Sequence, residues 1–232
     1  MERFSHFRFA FRQTIPIMLG FLFLGTAFGL MLSDAGYHFL WAFLISMVVY
    51  AGSMQFVMVT LFTAGAGLLY TAMMTLFING RHIFYGLSLV EKFKIMGKSY
   101  PYMVFSLTDE TYSLLCRTKV PEKLSEKKIM LYMSMLNHSY WVIGSVFGGL
   151  AGQLINFDTN GIEFSMTALF IAIVIEQWHE KGNRLSILAG GISSVIFLVL
   201  LGADHFIMPS LFFTVGFRLL MKKFDLKGVK FD

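Results

Sequence analysis

The apolar residues of this chain form long, nearly continuous runs, separated by short polar links. A helix rises 1.5 Å per residue, so roughly 20 apolar residues cross the hydrocarbon layer of a bilayer. The pattern therefore predicts an all-α polytopic membrane protein with about eight transmembrane segments, and seven or six are the alternatives. The segments lie near residues 14–32, 39–63, 67–90, 101–117, 130–155, 163–178, 185–202 and 204–222.

Two of these segments are long and interrupted. The run 39–63 contains the small triplet Ala51-Gly52-Ser53, and the run 67–90 contains Asn79-Gly80-Arg81-His82. Small and polar residues inside an apolar run favour a kink or a local break in the helix. Each run is therefore predicted to be a broken helix or a re-entrant element. The tight link Gly202-Ala203-Asp204 predicts a hairpin between the last two segments.

Composition supports a single integral membrane domain over residues 1–232. The chain is 56% hydrophobic and only 14% charged, against about 25% charged residues in ordinary soluble domains. We expect a basic N-terminus at 1–13, a membrane region at 14–222 and a basic tail at 223–232. The first segment is too long for the apolar region of a signal peptide, so we expect it to be retained.

Lys and Arg gather in particular links, and such links tend to stay in the cytoplasm. Both chain ends are basic, so both termini are predicted to be cytoplasmic. One link conflicts with this scheme, because eight crossings place residues 91–100, with Lys92, Lys94 and Lys98, outside. Either that loop breaks the rule, or residues 67–90 dip into the membrane and return. The net charge of +5 is explained by orientation, so no nucleic-acid partner is predicted.

Glycines recur at a spacing typical of close helix packing in membranes. Gly25 and Gly29 form one such pair, and Gly144, Gly148 and Gly152 continue the spacing over two turns. We interpret these glycines as helix-packing residues. The stretches GTAFG and GSVFG are also alike, which suggests an internal repeat of two halves. The repeat would be parallel with four segments per half and inverted with an odd number.

Two acidic residues lie inside an apolar segment, in the stretch VFSLTDETYSLL. An ionisable group at membrane depth is costly and usually faces protein or a water-filled cavity. Asp109 or Glu110 could therefore pair with a substrate ammonium, take up a proton, or hold Arg81. The alternatives are a structural ion pair, or a turn at which the helix breaks and both acids meet water.

Arg81 is the candidate partner for an anion. Its guanidinium can hold a carboxylate with two hydrogen bonds, and Gly80 would let the chain unwind and free backbone N–H groups. Asn79 could cap or line that break. In the alternative interpretation this stretch is a surface loop from which Arg81 reaches the lipid headgroups. Gln55 either lines a path or connects two helices.

Signals of an enzyme are weak. Glu176-Gln-Trp-His179 has the spacing of a carboxylate metal site, but it lacks a second such pair. No metal, cofactor or catalytic residue is predicted, and the chain is not expected to be an enzyme. Asn137, His138 and Trp141 open the fifth segment, and we interpret Trp141 as an interface anchor and His138 as a satisfied polar residue.

Several short motifs, in their order and spacing, are together similar to a known family. They are Gly25-x-x-x-Gly29, AGSMQF, NGRH, TDET and SYWVIGSVFGG. With them the chain resembles the AzlC-type large subunit of branched-chain amino acid exporters. The resemblance implies a multi-pass permease of the bacterial inner membrane that works with a small hydrophobic AzlD-type subunit. It implies export of leucine, isoleucine or valine, and sometimes methionine.

The resemblance and the polar residues fit together chemically. An amino acid is a zwitterion and needs an anion clamp, a partner for its ammonium and an apolar pocket. Arg81, with the backbone near Asn79 and Gly80, would clamp the carboxylate, and Asp109 or Glu110 would hold the ammonium. Proton entry through the same acid, passed to His82, would couple export to the proton gradient. The alternative is a channel or scaffold subunit for another small solute, whose path lies mainly in the partner.

Overall fold

A computed structural model describes residues 2–154, 184–202 and 206–225, together with positions 164, 167–168, 171, 174–175 and 178–179. All the regular structure in these residues is helical, which confirms the all-α prediction. The links 156–163 and 203–205, residue Glu176, parts of the segment 163–178 and the tail from 226 onward lie outside the described residues. The α-helices are α1 (Glu2–Asp34), α2 (Phe39–Val48), α3 (Gly52–Thr63), α4 (Leu68–Asn79), α5 (Arg81–Lys94), α6 (Tyr100–Phe105), α7 (Asp109–Arg117), α8 (Glu126–Leu154), α9 (Arg184–Leu201) and α10 (Ile207–Asp225).

The chain divides into two compact units, Met1–Met166 and Thr167–Asp232. The first unit contains α1 to α8. In the second unit α9 packs on α10, where the hydroxyls of Ser193 and Thr214 lie 3.1 Å apart. The rings of Phe197 and Phe213 meet edge to face at 6.3 Å in the same interface.

Helix length separates two groups of apolar helices. Among the described residues, two helices are long and apolar enough to cross a membrane, at Ser5–Asp34 and Arg184–Leu201. The apolar helices α2, α3 and α4 have only 10 to 12 residues each. At 1.5 Å per residue such a helix covers about 15–18 Å, or roughly half of a bilayer core.

Helices α1 and α8 lie side by side and run in the same direction. The imidazole of His6 accepts a hydrogen bond from the backbone N–H of Ser125, just before α8 begins. Further along, the hydroxyls of Thr14 and Tyr140 lie 3.1 Å apart. At the far end, a Cβ on Gly152 would lie 2.7 Å from the Cβ of Ser33. Contacts therefore advance together along both helices.

The glycines of the two helices face each other's backbone. A Cβ on Gly29 would collide with the carbonyl oxygen of Ser145, and a Cβ on Gly148 would collide with the carbonyl oxygen of Thr26. A Cβ on Gly25 would meet Trp141 O at 2.9 Å. Backbones this close leave no room for side chains, and close approach increases the packing contacts that hold membrane helices together. We call this α1–α8 interface the glycine seam.

Residues 39–63 fold back on themselves. The amide nitrogen of Gln55 on α3 donates to the hydroxyl of Ser46 on α2 at 3.1 Å, across the connection at 49–51. The ring of Tyr37, just before α2, packs at a tilt against Phe62 near the end of α3, with ring centroids 5.6 Å apart. The two helices contact each other near the connection at 49–51 and again at their outer ends, so α2 and α3 form a helical hairpin. We call it the first hairpin.

Residues 100–117 form a second hairpin, whereas the hydropathy pattern predicted one segment at 101–117, with a helix break at the acidic pair as an alternative. Its turn is 106–108, between α6 and α7. Near the turn, Thr111 accepts a hydrogen bond from Asn137 of α8. Away from the turn, Leu115 packs in one apolar cluster with Ile129 and Met133, near the start of α8. Helix α7 therefore runs antiparallel to α8, back toward the end from which the chain entered.

Helices α4 and α5 connect the two hairpins. Helix α4 packs against α3, and α5 ends beside the start of α8, where Lys92 lies 3.4 Å from Glu126. The joint is Gly80, which keeps helical angles of φ −54° and ψ −29°. The unwinding expected there is not seen. A Cβ on Gly80 would lie 2.8 Å from the carbonyl oxygen of Leu76, so glycine fits the tight bend.

Candidate functional site

The turns of the two hairpins meet at Arg81, the first residue of α5. One guanidinium nitrogen of Arg81 lies 2.8 Å from the carboxylate of Asp109, the first residue of α7. The same nitrogen donates to the hydroxyl of Ser53, in the first turn of α3, at 3.0 Å. The side chains of Arg81 and Asp109 are 26% and 25% exposed. One cation therefore connects the beginnings of two short helices.

The sequence explains why α7 begins at Asp109. Thr108 has an extended backbone, and its hydroxyl accepts a hydrogen bond from the N–H of Thr111, as an N-cap residue does. Asp109 and Glu110 then occupy the first turn, where the helix dipole stabilises negative charge. Two of the interpretations of the acidic pair match the structure: the helix breaks just before Asp109, and Asp109 pairs with Arg81.

The two acids have different surroundings. Asp109 pairs with Arg81, whereas Glu110 forms no ion pair within 4.0 Å among the described residues. Glu110 is half-buried and interacts with the Thr108 hydroxyl and, electrostatically, with Tyr50. The sequence offered the two carboxylates as equivalent candidates, and the structure gives each a separate neighbour.

The start of α3 is strained and lacks a side-chain cap. Tyr50 has a φ of 44°, the left-handed region that a bulky residue rarely adopts, and it is 3% exposed. Such a conformation costs about 1–3 kcal/mol and is often found at functional sites. Ala51 at the N-cap offers no side-chain acceptor to the N–H groups of the first turn. The positive end of α3 therefore lies next to Arg81 without a side-chain acceptor at its cap.

Gln55 connects the first hairpin to α8. Its amide oxygen accepts from the indole N–H of Trp141 at 2.9 Å, while its nitrogen donates to Ser46. The imidazole of His138 reaches the carbonyl of Ser46 at 3.2 Å. Gln55 is 0% exposed. Trp141 is buried too, so its interpretation as an interface anchor is wrong for this fold.

A second series of hydrogen bonds connects α7 to α8. The amide nitrogen of Asn137 donates to the Thr111 hydroxyl at 3.1 Å, and the Thr108 hydroxyl donates to the same oxygen at 3.2 Å. Asn137 is 0% exposed. These hydrogen bonds therefore connect the N-cap of α7 to the middle of α8.

His82 lies beside Arg81 in the first turn of α5. Its Nδ1 is 3.0 Å from the carbonyl oxygen of Asn79, so Asn79 takes part through its backbone. The ring of Tyr85 lies edge-on to His82 at 5.8 Å. Asn79, Gly80, Arg81 and His82 are thus one local group at the α4–α5 joint, and Gln55 belongs to the neighbouring connection with α8.

Sequence reasoning missed several members of this site. Ser53 was visible only as part of a small triplet, and Tyr50 gives no signal because its backbone angle depends on the hairpin turn. Thr108 followed by two acidic residues is the pattern of an N-cap and a first helical turn, so it could have identified the start of α7. Within the described residues, no group of three His, Cys, Asp or Glu side chains could hold a metal ion.

Comparison with known proteins places the chain in a family. The model of the AzlC protein family matches residues 16–155, which include both hairpins and α8. The branched-chain amino acid transport protein AzlC of Bacillus subtilis is 38% identical over 217 residues, covering 94% of this chain and 85% of that protein. The chain belongs to the AzlC family, as the motifs indicated.

Membrane proteins of other bacteria are also similar to this chain. An uncharacterized membrane protein of Helicobacter pylori is 39% identical over 222 residues, covering 96% of this chain and 97% of that protein. The inner membrane protein YgaZ of Escherichia coli is 25% identical over 177 residues, covering 73% of this chain and 72% of that protein. No solved structure matches the chain.

Proposed function

We propose that this chain is the large subunit of a bacterial inner-membrane permease that exports branched-chain or other apolar amino acids. Family membership supports a transport role, since the Bacillus subtilis relative is named as a branched-chain amino acid transport protein. Leucine, isoleucine and valine are the expected substrates, with methionine as a further candidate. A small AzlD-type membrane protein is the expected partner.

The observation that carries this proposal is the position of Arg81 between Asp109 and Ser53. A zwitterion offers a carboxylate for Arg81 and an ammonium for Asp109. Substrate entry would exchange one ion pair for two and leave no charge uncompensated, which matters because unpaired charges are costly at membrane depth. The uncapped start of α3 adds backbone donors on the carboxylate side.

The hairpins suggest a different membrane topology from eight simple crossings. In this scheme α1, the α4–α5 pair and α8 cross the bilayer, and the two hairpins re-enter it from opposite sides. Residues 91–100 then lie on the same side as the N-terminus. Lys92, Lys94 and Lys98 become cytoplasmic, so the conflict with the positive-inside rule disappears. In this scheme the interrupted apolar run that enters the membrane and returns to the same side is 39–63, whereas 67–90 crosses.

Two short helices beginning near mid-depth are a recognised arrangement in carriers, where half-helix N-termini face the substrate. Here α3 and α7 both begin beside Arg81. The likeness of GTAFG and GSVFG suggested an internal repeat and left its parallel and inverted forms open. Because α1 and α8 run in the same direction, the glycine seam supports the parallel form.

Proton coupling is the proposed energy source. Asp109 and Glu110 are the acids at the site, and His82 lies in the same turn as Arg81. Either acid could alternate between a proton and the substrate ammonium. The variants Asp109→Asn and Glu110→Gln test the two acids one at a time. The acid that couples transport to protons is the one whose replacement makes efflux independent of an imposed pH gradient. Unchanged coupling in both variants would exclude proton entry through these groups.

The defining experiment is efflux of preloaded radiolabelled leucine, methionine and serine from cells that express this chain with and without its small partner. We expect saturable, partner-dependent loss of leucine or methionine that Arg81→Ala abolishes. Arg12→Ala, an exposed arginine on α1, is the matched control. Flux that rises without saturation and supports no exchange would indicate a channel. Normal efflux by Arg81→Ala would remove Arg81 from the substrate path.

A further inference from the structure

Buried polar atoms without a hydrogen-bond partner concentrate around the Arg81–Asp109 pair. Buried polar groups are nearly always paired, so each exception calls for an explanation. Seven such side-chain atoms occur among the described residues, and five of them belong to this region. The five are Tyr50 Oη, Arg81 Nε, Ser106 Oγ, Asp109 Oδ1 and Asn137 Oδ1.

Contacts around Thr111 bring several of these atoms together. Asn137 uses its amide nitrogen on the Thr111 hydroxyl, which leaves its amide oxygen unpartnered. The Tyr50 hydroxyl lies beside the hydroxyls of Thr108 and Thr111, with no well-formed hydrogen bond to the described residues. Thr108 directly precedes Asp109. Tyr50 and Asn137 therefore meet beside the two threonines at the turn of the second hairpin, and Ser106 and Asp109 lie in and directly after the same turn.

The chemistry of these atoms defines what they can bind. The Asn137 amide oxygen and the free Asp109 oxygen can only accept hydrogen bonds, and the two hydroxyls can accept as well. A primary ammonium offers three N–H donors and a positive charge, which suits this set. The remaining atom, Arg81 Nε, is a donor and suits a carboxylate. The unpartnered atoms thus divide into the two halves that a zwitterion needs.

We propose that Tyr50, Ser106 and Asn137 form, with Asp109, the pocket that binds the ammonium group of the amino-acid substrate. This inference rests on the proposed function and adds three residues to it. Asn137 carries most of the selectivity because it is fully buried and held in place by Thr111. Without an ammonium group, a ligand would leave its amide oxygen unpaired.

Binding to the purified complex with its small partner tests the pocket, using leucine and 4-methyl-2-oxopentanoate. The keto acid keeps the carboxylate and the branched side chain but lacks the ammonium. We expect the wild-type protein to prefer leucine by at least about ten-fold, since a site built around a hydrogen-bonding group discriminates against ligands without it. Asn137→Ala should lose most of this preference by weakening leucine binding, with keto acid affinity nearly unchanged.

Two further variants separate recognition from folding. Tyr50→Phe removes a hydroxyl that makes no well-formed hydrogen bond to the described residues. Its melting temperature should therefore match the wild type while its preference for leucine falls. Ser145→Ala is the control, because Ser145 is buried on the same helix but bonds to Trp141 in the glycine seam. It should keep the wild-type preference.

The outcomes are distinct. A wild-type complex that binds no amino acid would contradict the proposed function itself. A wild-type complex that binds leucine, while Asn137→Ala and Tyr50→Phe both keep the full preference over the keto acid, would overturn only the ammonium pocket. Equal loss of both ligands in Asn137→Ala, with normal preference in Tyr50→Phe, would also overturn it, because Asn137 would then act through the fold.

Discussion

Arg81 and Asp109 form an ion pair between two helices that begin at the same place, and Arg81 also reaches the first turn of a third helix. The pair is only about three-quarters buried, so solvent screening reduces its contribution to stability. This ion pair is therefore better suited to exchanging its partners for the charges of a substrate than to stabilising the fold. The first prediction follows from this property.

Removing Asp109 should impair transport more than stability. Asp109→Asn leaves Arg81 without its anion, and efflux of leucine should fall at least about ten-fold, as expected for losing a charged contact of about 1.5–3 kcal/mol. The melting temperature of the purified protein should change by only a few degrees. The double variant Arg81→Ala/Asp109→Asn should be no worse than Arg81→Ala alone, because the two side chains act as a pair.

A methyl group in the glycine seam should destabilise the protein. Gly148→Ala would place a Cβ against the carbonyl of Thr26, and this contact is backbone, so no side chain can move away. Overpacking of this kind costs about 1–3 kcal/mol or more, which should lower the melting temperature in detergent. Gly20→Ala on α1 is the control, since nothing lies within 4 Å of its Cβ. Equal melting temperatures for the two variants would mean that the seam is not closely packed.

Accessibility of cysteines should distinguish hairpins from crossings. The chain has one natural cysteine, Cys116, so Cys116→Ser provides a cysteine-free background. Asp34→Cys and Ala64→Cys lie at exposed positions at the two outer ends around the first hairpin. If residues 39–63 re-enter, a membrane-impermeant maleimide should label both from outside the cell.

The same background tests the lysine-rich link. Lys98→Cys should react only from the cytoplasmic side. In the unmodified chain, the exposed Cys116 at the end of α7 should do the same. Labelling of Ala64→Cys from the cytoplasm together with Lys98→Cys from outside would restore the eight crossings. Labelling of both positions from the cytoplasm would instead mean that residues 67–90 re-enter and residues 39–63 cross.

Gln55 should prove structural. Both ends of its amide are bonded, to Ser46 and to Trp141, so Gln55→Ala leaves two buried groups unpaired. We expect a loss of stability of about 2–4 kcal/mol, measured by thermal unfolding, and efflux reduced only in proportion to the folded protein in the membrane. Gln13→Ala, at an exposed position on α1, is the control. Normal stability with lost transport would instead place Gln55 in the substrate path.

Hydropathy predicted the helices well but not how they turn. A kinked crossing and a re-entrant hairpin give the same interrupted apolar run, since both need helix, break and helix. The run 39–63 was therefore left open between them. The run 101–117 has the length of one crossing, and its break at 106–108 contains no glycine or proline, so hydropathy predicted one segment and only the acidic pair raised a helix break as an alternative. The conflict over Lys92, Lys94 and Lys98 is the sequence signal that favours the proposed re-entrant arrangement.

The charged residues of the site could be identified from sequence because charge inside an apolar run is costly and therefore informative. Arg81 and Asp109 stood out for this reason, and their pairing was one of the alternatives. Tyr50, Ser53 and Asn137 could not be identified in the same way. Their importance comes from a backbone angle, a hydroxyl at a helix start and an unused amide oxygen, and residue type reveals none of these.

The glycine seam has a mechanical consequence. Two helices in backbone contact along several turns cannot slide or tilt without collision, so α1 and α8 should behave as one stiff frame through the transport cycle. The hairpin helices are short and turn back at strained or capped breaks, and Arg81 joins their turns. We expect the conformational change of transport to be a rocking of the two hairpins against α1 and α8. Exchange of the Arg81–Asp109 ion pair for contacts with the substrate would start this motion.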